Sequence, residues 1–470
     1  MVFSSPIFLT VFLPIVLATT LIVPRRFRNV VLLAASLGFY YWGAGPYILV
    51  LAWVVAVSFL AAQRLESRSN FALAIVAILG PLLWFKYSAF FSDIALDVAS
   101  VVGVDGTPWD ARILPVGISF FTFQALSYVF DVRRGAAEPL DRGDRYLLYI
   151  ALFPQLIAGP IVRYSEIRDQ LYERVITLDR LAVGATRFAH GLAKKVIIAD
   201  SVAPIADAAF ASGDLRPSIA AWIGLLAYTV QIYFDFSGYS DMAIGLGTMF
   251  GFTFPENFAR PYSSSSITEF WRRWHITLSS WFRDYVYIPL GGSRNGDAAT
   301  YRNLIIIFFL TALWHGAAWT FLVWGGLHGA WLIVERVTGL GSAAKAPVLR
   351  RILTLLIVMV AWVFFRAPTV GDAADYVVDL FAFSGGTISA DLITAMTVPS
   401  MLMLAVGVAS FFLPKDWVAG PRITRMDAEG LASTAFRPVL ARGAYVMVAL
   451  PICMAFIAAN DFSPFLYFQF

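Results

Sequence analysis

The chain has 470 residues, 59% hydrophobic and only 14% charged, with a formal net charge of +4. A soluble globular domain carries about 25% charged residues, so this balance excludes a second packed soluble domain and points to one integral membrane domain over residues 1–470. The positive residues are arginines in short loops beside apolar segments, which suits membrane orientation and argues against a nucleic-acid partner. Cys453 is the only cysteine, which excludes an intramolecular disulfide and a cysteine metal cluster.

Apolar stretches fall at about 6–23, 29–43, 46–62, 71–85, 113–130, 146–160, 216–234, 239–254, 303–322, 350–365, 398–413 and 441–460. A crossing helix needs about 20 residues, so the expected fold is all-α and polytopic, embedded in a lipid bilayer. Residues 1–5 carry no basic side chain, and Pro24-Arg25-Arg26 follows the first apolar stretch instead of preceding it. That is unlike a secretory signal, so the segment is expected to remain as an anchor.

The first five stretches alternate by the positive-inside rule. Arg25, Arg26 and Arg28 lie inside, Gly43–Pro46 outside, Arg64 and Arg68 inside. A loop at 87–111, acidic through Asp93, Asp97, Asp105 and Asp110, lies outside, and Arg133, Arg134, Arg142 and Arg145 lie inside again. The N-terminus is therefore expected outside the cytoplasm. Segment 146–160 breaks the alternation. It is short, holds Pro154 and Pro160, and has arginines on both sides, which predicts a partial or re-entrant segment buried in protein. Stretch 161–199 is of mixed polarity and reads as amphipathic helices at the cytoplasmic interface.

Chemistry-bearing residues gather from residue 114 onward. Within Leu114–Arg134, Ser119, Thr122, Gln124 and Ser127 are expected to bond helix to helix, or to line a tunnel. In Tyr233–Ile244, Asp235 and Asp241 sit in apolar surroundings and must find partners or protonate. Arg272, Arg273 or Arg283 are the expected partners, and orienting a histidine is the alternative. Gly238 permits a helix break there. Ser266 followed by Glu269 matches a capping box, so a helix is expected from near Ile267 to the Pro289-Gly291-Gly292 turn. Its apolar stripe is Trp271, Trp274, Leu278, Trp281 and Phe282; its polar face is Arg272, Ser279 and Arg283, with His275 on the border.

The remaining signal is Trp314-His315-Gly316, inside the apolar run Leu304–Leu327 of a chain with four histidines. An ionisable residue in such a run marks a functional site by default, with a packing histidine as the alternative. A neutral imidazole can take a proton from an acceptor hydroxyl as that oxygen attacks an acyl group, and a second group can orient it or stabilise developing charge. Acyl transfer of this kind needs no metal or bound cofactor. Two well-separated histidines without acidic neighbours at ligand spacing make a poor zinc site, and no G-x-S-x-G elbow is present. His190 and His328 lack supporting patterns and read as structural.

Several long segments carry a family resemblance: FPQLIAGPIVRYSEI at 153–167, KKVIIADSVAPIADAAF at 194–210, and QIYFDFSGYSDMAIGLGTMFGFTFPENFARPY at 231–262. FWRRWHITLSSWFRDYVYIPLGGSR at 270–294, LWHGAAWTFLVWGGLHG at 313–329 and FSPFLYFQF at 462–470 continue it. The chain resembles the membrane-bound O-acyltransferase (MBOAT) family, in particular its bacterial branch serving alginate O-acetylation. The resemblance implies a helical bundle around a transmembrane tunnel, with re-entrant and interfacial helices. It also implies an acyl donor presented from the cytoplasm and an acyl group delivered outward.

His315 matches the family's principal catalytic histidine, and His275 its second active-site position. Arg272, Asp241 and Trp314 are candidates for shaping the substrate site. The expected setting is the bacterial inner membrane, with an acyl thioester such as acetyl-CoA as donor and a polysaccharide acceptor, reached directly or through a separate extracytoplasmic O-acetyltransferase. D-alanyl transfer to teichoic acid-type polymers, a transporter without acyl chemistry, and an assembly scaffold are the rival expectations.

Overall fold

The computed structural model describes residues 2–65, 67–104, 106–211, 216–340, 347–413, 436–459 and 465–466. Asp105 and most of the 462–470 ending lie outside them. Among the described residues all regular structure is helical. The chain divides into two compact units, residues 1–181 with 246–255 and residues 182–245 with 256–470.

The first unit holds α1 (Leu13–Ile22), α2 (Arg28–Ala44), α3 (Ile48–Ala62), α4 (Arg68–Ser100), α5 (Ile118–Arg133), α6 (Gly143–Ala151), α7 (Phe153–Leu156) and α8 (Tyr164–Tyr172). α3 is apolar around its whole circumference. It buries Leu51, Val54 and Val55 while exposing Leu49, Trp53 and Leu60, the pattern of a helix that meets protein on one face and lipid on the other. Its buried Ser58 hydroxyl accepts from Tyr146 of α6 at 2.7 Å. α6 and α7 together replace segment 146–160. Nine residues of helix rise only about 13 Å, and Leu152 to Leu156 are fully buried, so this is a broken, protein-enclosed segment. The expected loop at 87–111 is in part helix, because α4 runs on to Ser100. In α5, Ser127 bonds back to the Gln124 carbonyl of its own helix at 2.7 Å instead of reaching a neighbour. Among the described residues the Gln124 amide and the Thr122 hydroxyl, both buried, find no partner.

The second unit holds most of α9 (Leu178–Ala193), then α10 (Asp200–Ala211) and all but the end of α11 (Ser218–Met249). α12 (Ile267–Trp271), α13 (Ile276–Phe282), α14 (Asp297–His315), α15 (Trp319–Thr338) and α16 (Pro347–Arg366) follow. α17 (Val370–Phe381), α18 (Ala390–Ala395), α19 (Val398–Phe412) and α20 (Phe436–Ala459) complete it. The stretches expected at 216–234 and 239–254 are one uninterrupted helix, α11. Gly238 does not break it. A Cβ there would meet the Gly191 carbonyl oxygen at 2.7 Å, and one on Gly191 would meet the Gly238 carbonyl oxygen at 2.5 Å. The two glycines let α9 and α11 cross backbone to backbone.

Among the described residues five helical runs are long and apolar enough to cross a membrane: Arg25–Ala62, Arg68–Ser100, Ser218–Met249, Pro347–Arg366 and Leu440–Ala459. The first is interrupted at Gly45, whose φ of +53° ends α2. The stretch expected as a span at 303–322 is instead a hairpin. α14 stops at His315, Gly316–Ala318 is extended or bent, and α15 starts at Trp319.

Candidate active site

The segment around His275 is not one helix. α12 ends after five residues, and His275 takes φ +42°, ψ +56° before α13 begins. The left-handed region is costly for a residue with a Cβ, so something must hold it. The chain segment before α12 does so. The Ile276 amide donates to the Asn257 carbonyl at 2.9 Å, and the Ala259 amide to the Arg273 carbonyl at 2.9 Å. The Asn257 side chain adds a second clamp. Its Oδ1 lies 3.1 Å from His275 Nδ1 and accepts from Thr277 Oγ1 at 2.9 Å and from the Thr277 amide at 3.3 Å. The expected apolar stripe Trp271, Trp274, Leu278, Trp281 and Phe282 is buried throughout, although it spans two short helices.

The start of α12 is tied down from α15. Glu335 accepts from the Ile267 amide, from the Thr268 amide at 2.9 Å and from the Thr268 hydroxyl at 2.7 Å. Ser266 caps the helix by accepting from the Glu269 amide at 3.0 Å. Glu269 does not complete the capping box. Its carboxylate bonds Ser265 and Arg273 instead.

His275 and His315 are 0% and 2% exposed. Trp314 lies between them, its ring centroid 5.6 Å from the His275 ring and 4.9 Å from the His315 ring. Phe236 and Phe258 close in on His275 at 4.8 and 6.5 Å. Trp324 and Phe365 enclose His315 at 4.8 and 5.2 Å. His275 lies outside the long apolar helices, and burial pushes its pKa down to about 3. The imidazole is neutral at neutral pH, as a proton acceptor must be. His328 joins the same aromatic cluster: Trp324 lies 5.2 Å from it, and Trp271 Nε1 donates to its Nδ1 at 3.3 Å.

Two further candidates, Arg272 and Asp241, have different surroundings. Arg272 is exposed, and none of the hydrogen bonds described here ties it to either histidine. Asp241 is ion-paired, but with partners other than those expected. Arg187 meets its Oδ1 at 2.8 Å and Lys194 its Oδ2 at 2.6 Å, while Arg187 also pairs with Glu256. Asp235 likewise pairs with Lys195 at 2.6 Å and accepts from the Leu466 amide at 3.0 Å. Two of the arginines expected to serve them are held by nearer carboxylates: Arg273 meets Glu269, and Arg283 meets Asp284. A cavity of about 330 Å³ lies beside Lys194, Arg260, Tyr233 and Tyr262. Neither His275 nor His315 lines it, but the Tyr233 and Tyr262 rings lie 6.3 and 6.1 Å from that of Trp274, the residue before His275. Among the described residues no three His, Cys, Asp or Glu side chains gather as a metal-binding set.

Sequence reasoning passed over three residues that build this region: Asn257, Glu335 and Arg187. Asn257 offered one signal, an amide flanked by phenylalanines in the turn-forming run Phe254-Pro255-Glu256-Asn257-Phe258. Glu335 and Arg187 act at sequence separations of 67 and 54 residues, which no local pattern reveals.

Long apolar helices together with enclosed short ones and a buried histidine cluster define a multi-pass membrane protein with an internal polar site. The MBOAT, membrane-bound O-acyltransferase family, matches residues 116–367. The chain is 42% identical to the probable alginate O-acetylase of Azotobacter vinelandii, with 100% of each covered. It is 35% identical to a peptidoglycan O-acetyltransferase of Helicobacter pylori, over 82% of this chain and 80% of the relative. It is 27% identical to a teichoic acid D-alanyltransferase of Bacillus subtilis, over 65% of this chain and 78% of the relative. The chain belongs to the MBOAT family, and it is a membrane-bound O-acyltransferase acting with an acyl donor.

Proposed function

We propose that this enzyme moves an acetyl group from a cytoplasmic thioester, acetyl-CoA, across the bacterial inner membrane for O-acetylation of an extracytoplasmic polysaccharide of the alginate class. The observation that carries the site is the pair of buried imidazoles on either side of Trp314. His315 is the general base. It takes the proton of the attacking hydroxyl as that oxygen adds to the thioester carbonyl; the C–S bond then breaks, and the leaving thiolate takes up the proton. His275 assists by orienting the attacking hydroxyl toward the thioester carbonyl. Arg272, Asp241 and Trp314 shape the surroundings, Asp241 through its pairs with Arg187 and Lys194. Both compact units act as one enzyme, with the N-terminus outside the cytoplasm. The acceptor is the polysaccharide itself or a separate extracytoplasmic O-acetyltransferase that completes the ester. The likeness to a D-alanyltransferase supports a second reading, with D-alanine as cargo.

The test measures alkali-labile acetate on the surface polysaccharide of a deletion strain. The strain is rescued with wild type, His315→Ala or His275→Ala at matched membrane levels. Wild type restores acetate and His315→Ala does not. Full restoration by His315→Ala overturns the assignment of the base. No acetate even with wild type overturns the cargo, and D-alanyl esters are then measured in the same samples.

A further inference from the structure

We infer that Asn257 is a positioning residue that fixes the tautomer of His275, so that Nδ1 carries the proton and Nε2 keeps its lone pair for the acyl-transfer reaction. The inference rests on the function proposed above and specifies how one of its two histidines is prepared.

The argument begins with the amide's own orientation. An asparagine side chain can be turned over without changing its shape, so its oxygen must be identified from its neighbours. A backbone N–H can only donate. The Thr277 amide faces the Asn257 atom that also lies near Thr277 Oγ1 and His275 Nδ1, so that atom is the oxygen. The other end agrees, because Asn257 Nδ2 donates to Ser240 Oγ at 3.0 Å. Both ends of the amide are thereby fixed. An acceptor oxygen 3.1 Å from His275 Nδ1 requires Nδ1 to donate. In a neutral imidazole the other nitrogen is then the acceptor.

The backbone makes the arrangement rigid. Asn257 holds the Ile276 amide through its carbonyl and the Thr277 amide through its side chain, the two residues that follow left-handed His275. One residue therefore sets both the backbone turn and the ring's hydrogen bond. All the partners are buried: Asn257 and His275 are 0% exposed, Ser240 2% and Thr277 5%. Water does not compete for the ring nitrogen.

His275 is one of four histidines, which makes the tautomer directly measurable. Detergent-purified protein labelled with 15N-histidine gives four side-chain signal sets, and His275→Ala identifies the set for residue 275. In wild type this set shows a protonated Nδ1 and a bare Nε2. In Asn257→Ala the Nε2-protonated form becomes populated. Asn257→Asp, which keeps the oxygen and the volume, retains the Nδ1–H form, and its carboxylate raises the pH at which the ring titrates by one unit or more. A wild-type ring protonated on Nε2, or a tautomer unchanged by Asn257→Ala, overturns the inference. If Asn257→Ala does not fold, an Asn257→Asp ring that titrates at the wild-type pH overturns it.

Surface acetate in the deletion strain separates this inference from the reading beneath it. Asn257→Ala lowers acetate about tenfold or more, in the sense of the roughly 10⁴-fold loss when another enzyme's catalytic histidine is held in the wrong tautomer. A switched tautomer with unchanged acetate overturns the proposed role of His275 while Asn257 still positions the ring. Lost acetate with an unchanged tautomer overturns the positioning role and leaves the role of His275 standing.

Discussion

Gly325→Ala tests how finely the hairpin that carries His315 is set. A Cβ at Gly325 of α15 meets Ala312 Cβ and the Phe308 carbonyl oxygen of α14, each at 2.7 Å. Ordinary contact begins at 3.4 Å, so the helices must separate by about 0.7 Å at this crossing. One of the two obstacles is backbone, which cannot rotate away. Overpacking of this kind costs about 1–3 kcal/mol. Ala312 lies one turn before His315, so the displacement reaches the imidazole, and a misplacement of about 1 Å can reduce a reaction about 10²-fold. The neighbouring Gly326 supplies the control, because a Cβ there meets nothing within 4 Å. Gly326→Ala should be neutral or slightly stabilising, since alanine is favoured over glycine within a helix by about 1 kcal/mol. The assay is surface acetate in the deletion strain at matched membrane levels, beside thermal unfolding in detergent. Gly325→Ala should lose most of the acetate and Gly326→Ala none. Equal behaviour of the two variants would refute the claim that this crossing positions His315.

Two further expectations concern charge. Asp241→Asn leaves Arg187 and Lys194 facing an amide, and removing one partner of a buried pair costs about 3–5 kcal/mol. Arg187→Gln combined with Asp241→Asn should cost less than the two single changes added together, and strict additivity in thermal unfolding would show that the pair is not coupled. The second concerns pH. Burial pushes His275 down to about 3 and, with Lys194 nearby, His190 to about 4, from an ordinary 6.5. The unfolded chain therefore binds protons that the folded chain refuses. The stability at stake is fully present above pH 6.5 and falls as pH drops toward 4, by about 1.4 kcal/mol per unit for each residue. Unfolding temperature in detergent should be flat from pH 7 to 8 and fall between 6.5 and 5, less steeply in His190→Gln. A rise on acidification would contradict the burial of these rings.

The membrane class, the helical architecture and the enclosed segment at 146–160 were legible because they depend on local quantities: apolar length, prolines and arginine placement. The limits appeared where tertiary contacts overrode local preference. Gly238 looked like a helix break and is a helix crossing, because its partner Gly191 lies 47 residues away. The run from Ile267 looked like one helix and breaks at His275, because Asn257 holds that turn from outside the segment. Asp235 and Asp241 were legible as carboxylates that need partners. Their actual cations, Lys195, Lys194 and Arg187, lay in a stretch that read only as an interfacial surface. His328 carried no pattern of its own, yet it shares Trp324 with His315.

The ion pairs of the second unit and its buried histidines have different immediate partners. The carboxylates of α11 are each matched to cations of α9 or of the π-helical segment Lys194–Ala199 that continues it, and Glu335 is occupied by the backbone amides that open α12. His275 and His315 have aromatic walls instead. On the proposed mechanism this difference has a physical basis. An unpaired charge buried beside the imidazoles would be costly to desolvate and would shift the protonation of the rings. In a low-dielectric enclosure, the charge that develops when a proton leaves the attacking hydroxyl is felt strongly by the few polar groups aimed at it. A charge introduced into the walls, as in Phe236→Asp or Phe365→Asp, should therefore abolish acetate transfer even where the protein still folds. Phe236→Leu and Phe365→Leu, which keep the enclosure dry, should retain most of it. Loss of transfer in the leucine variants at full membrane levels would mean that ring geometry, and not the exclusion of charge, is what these walls supply.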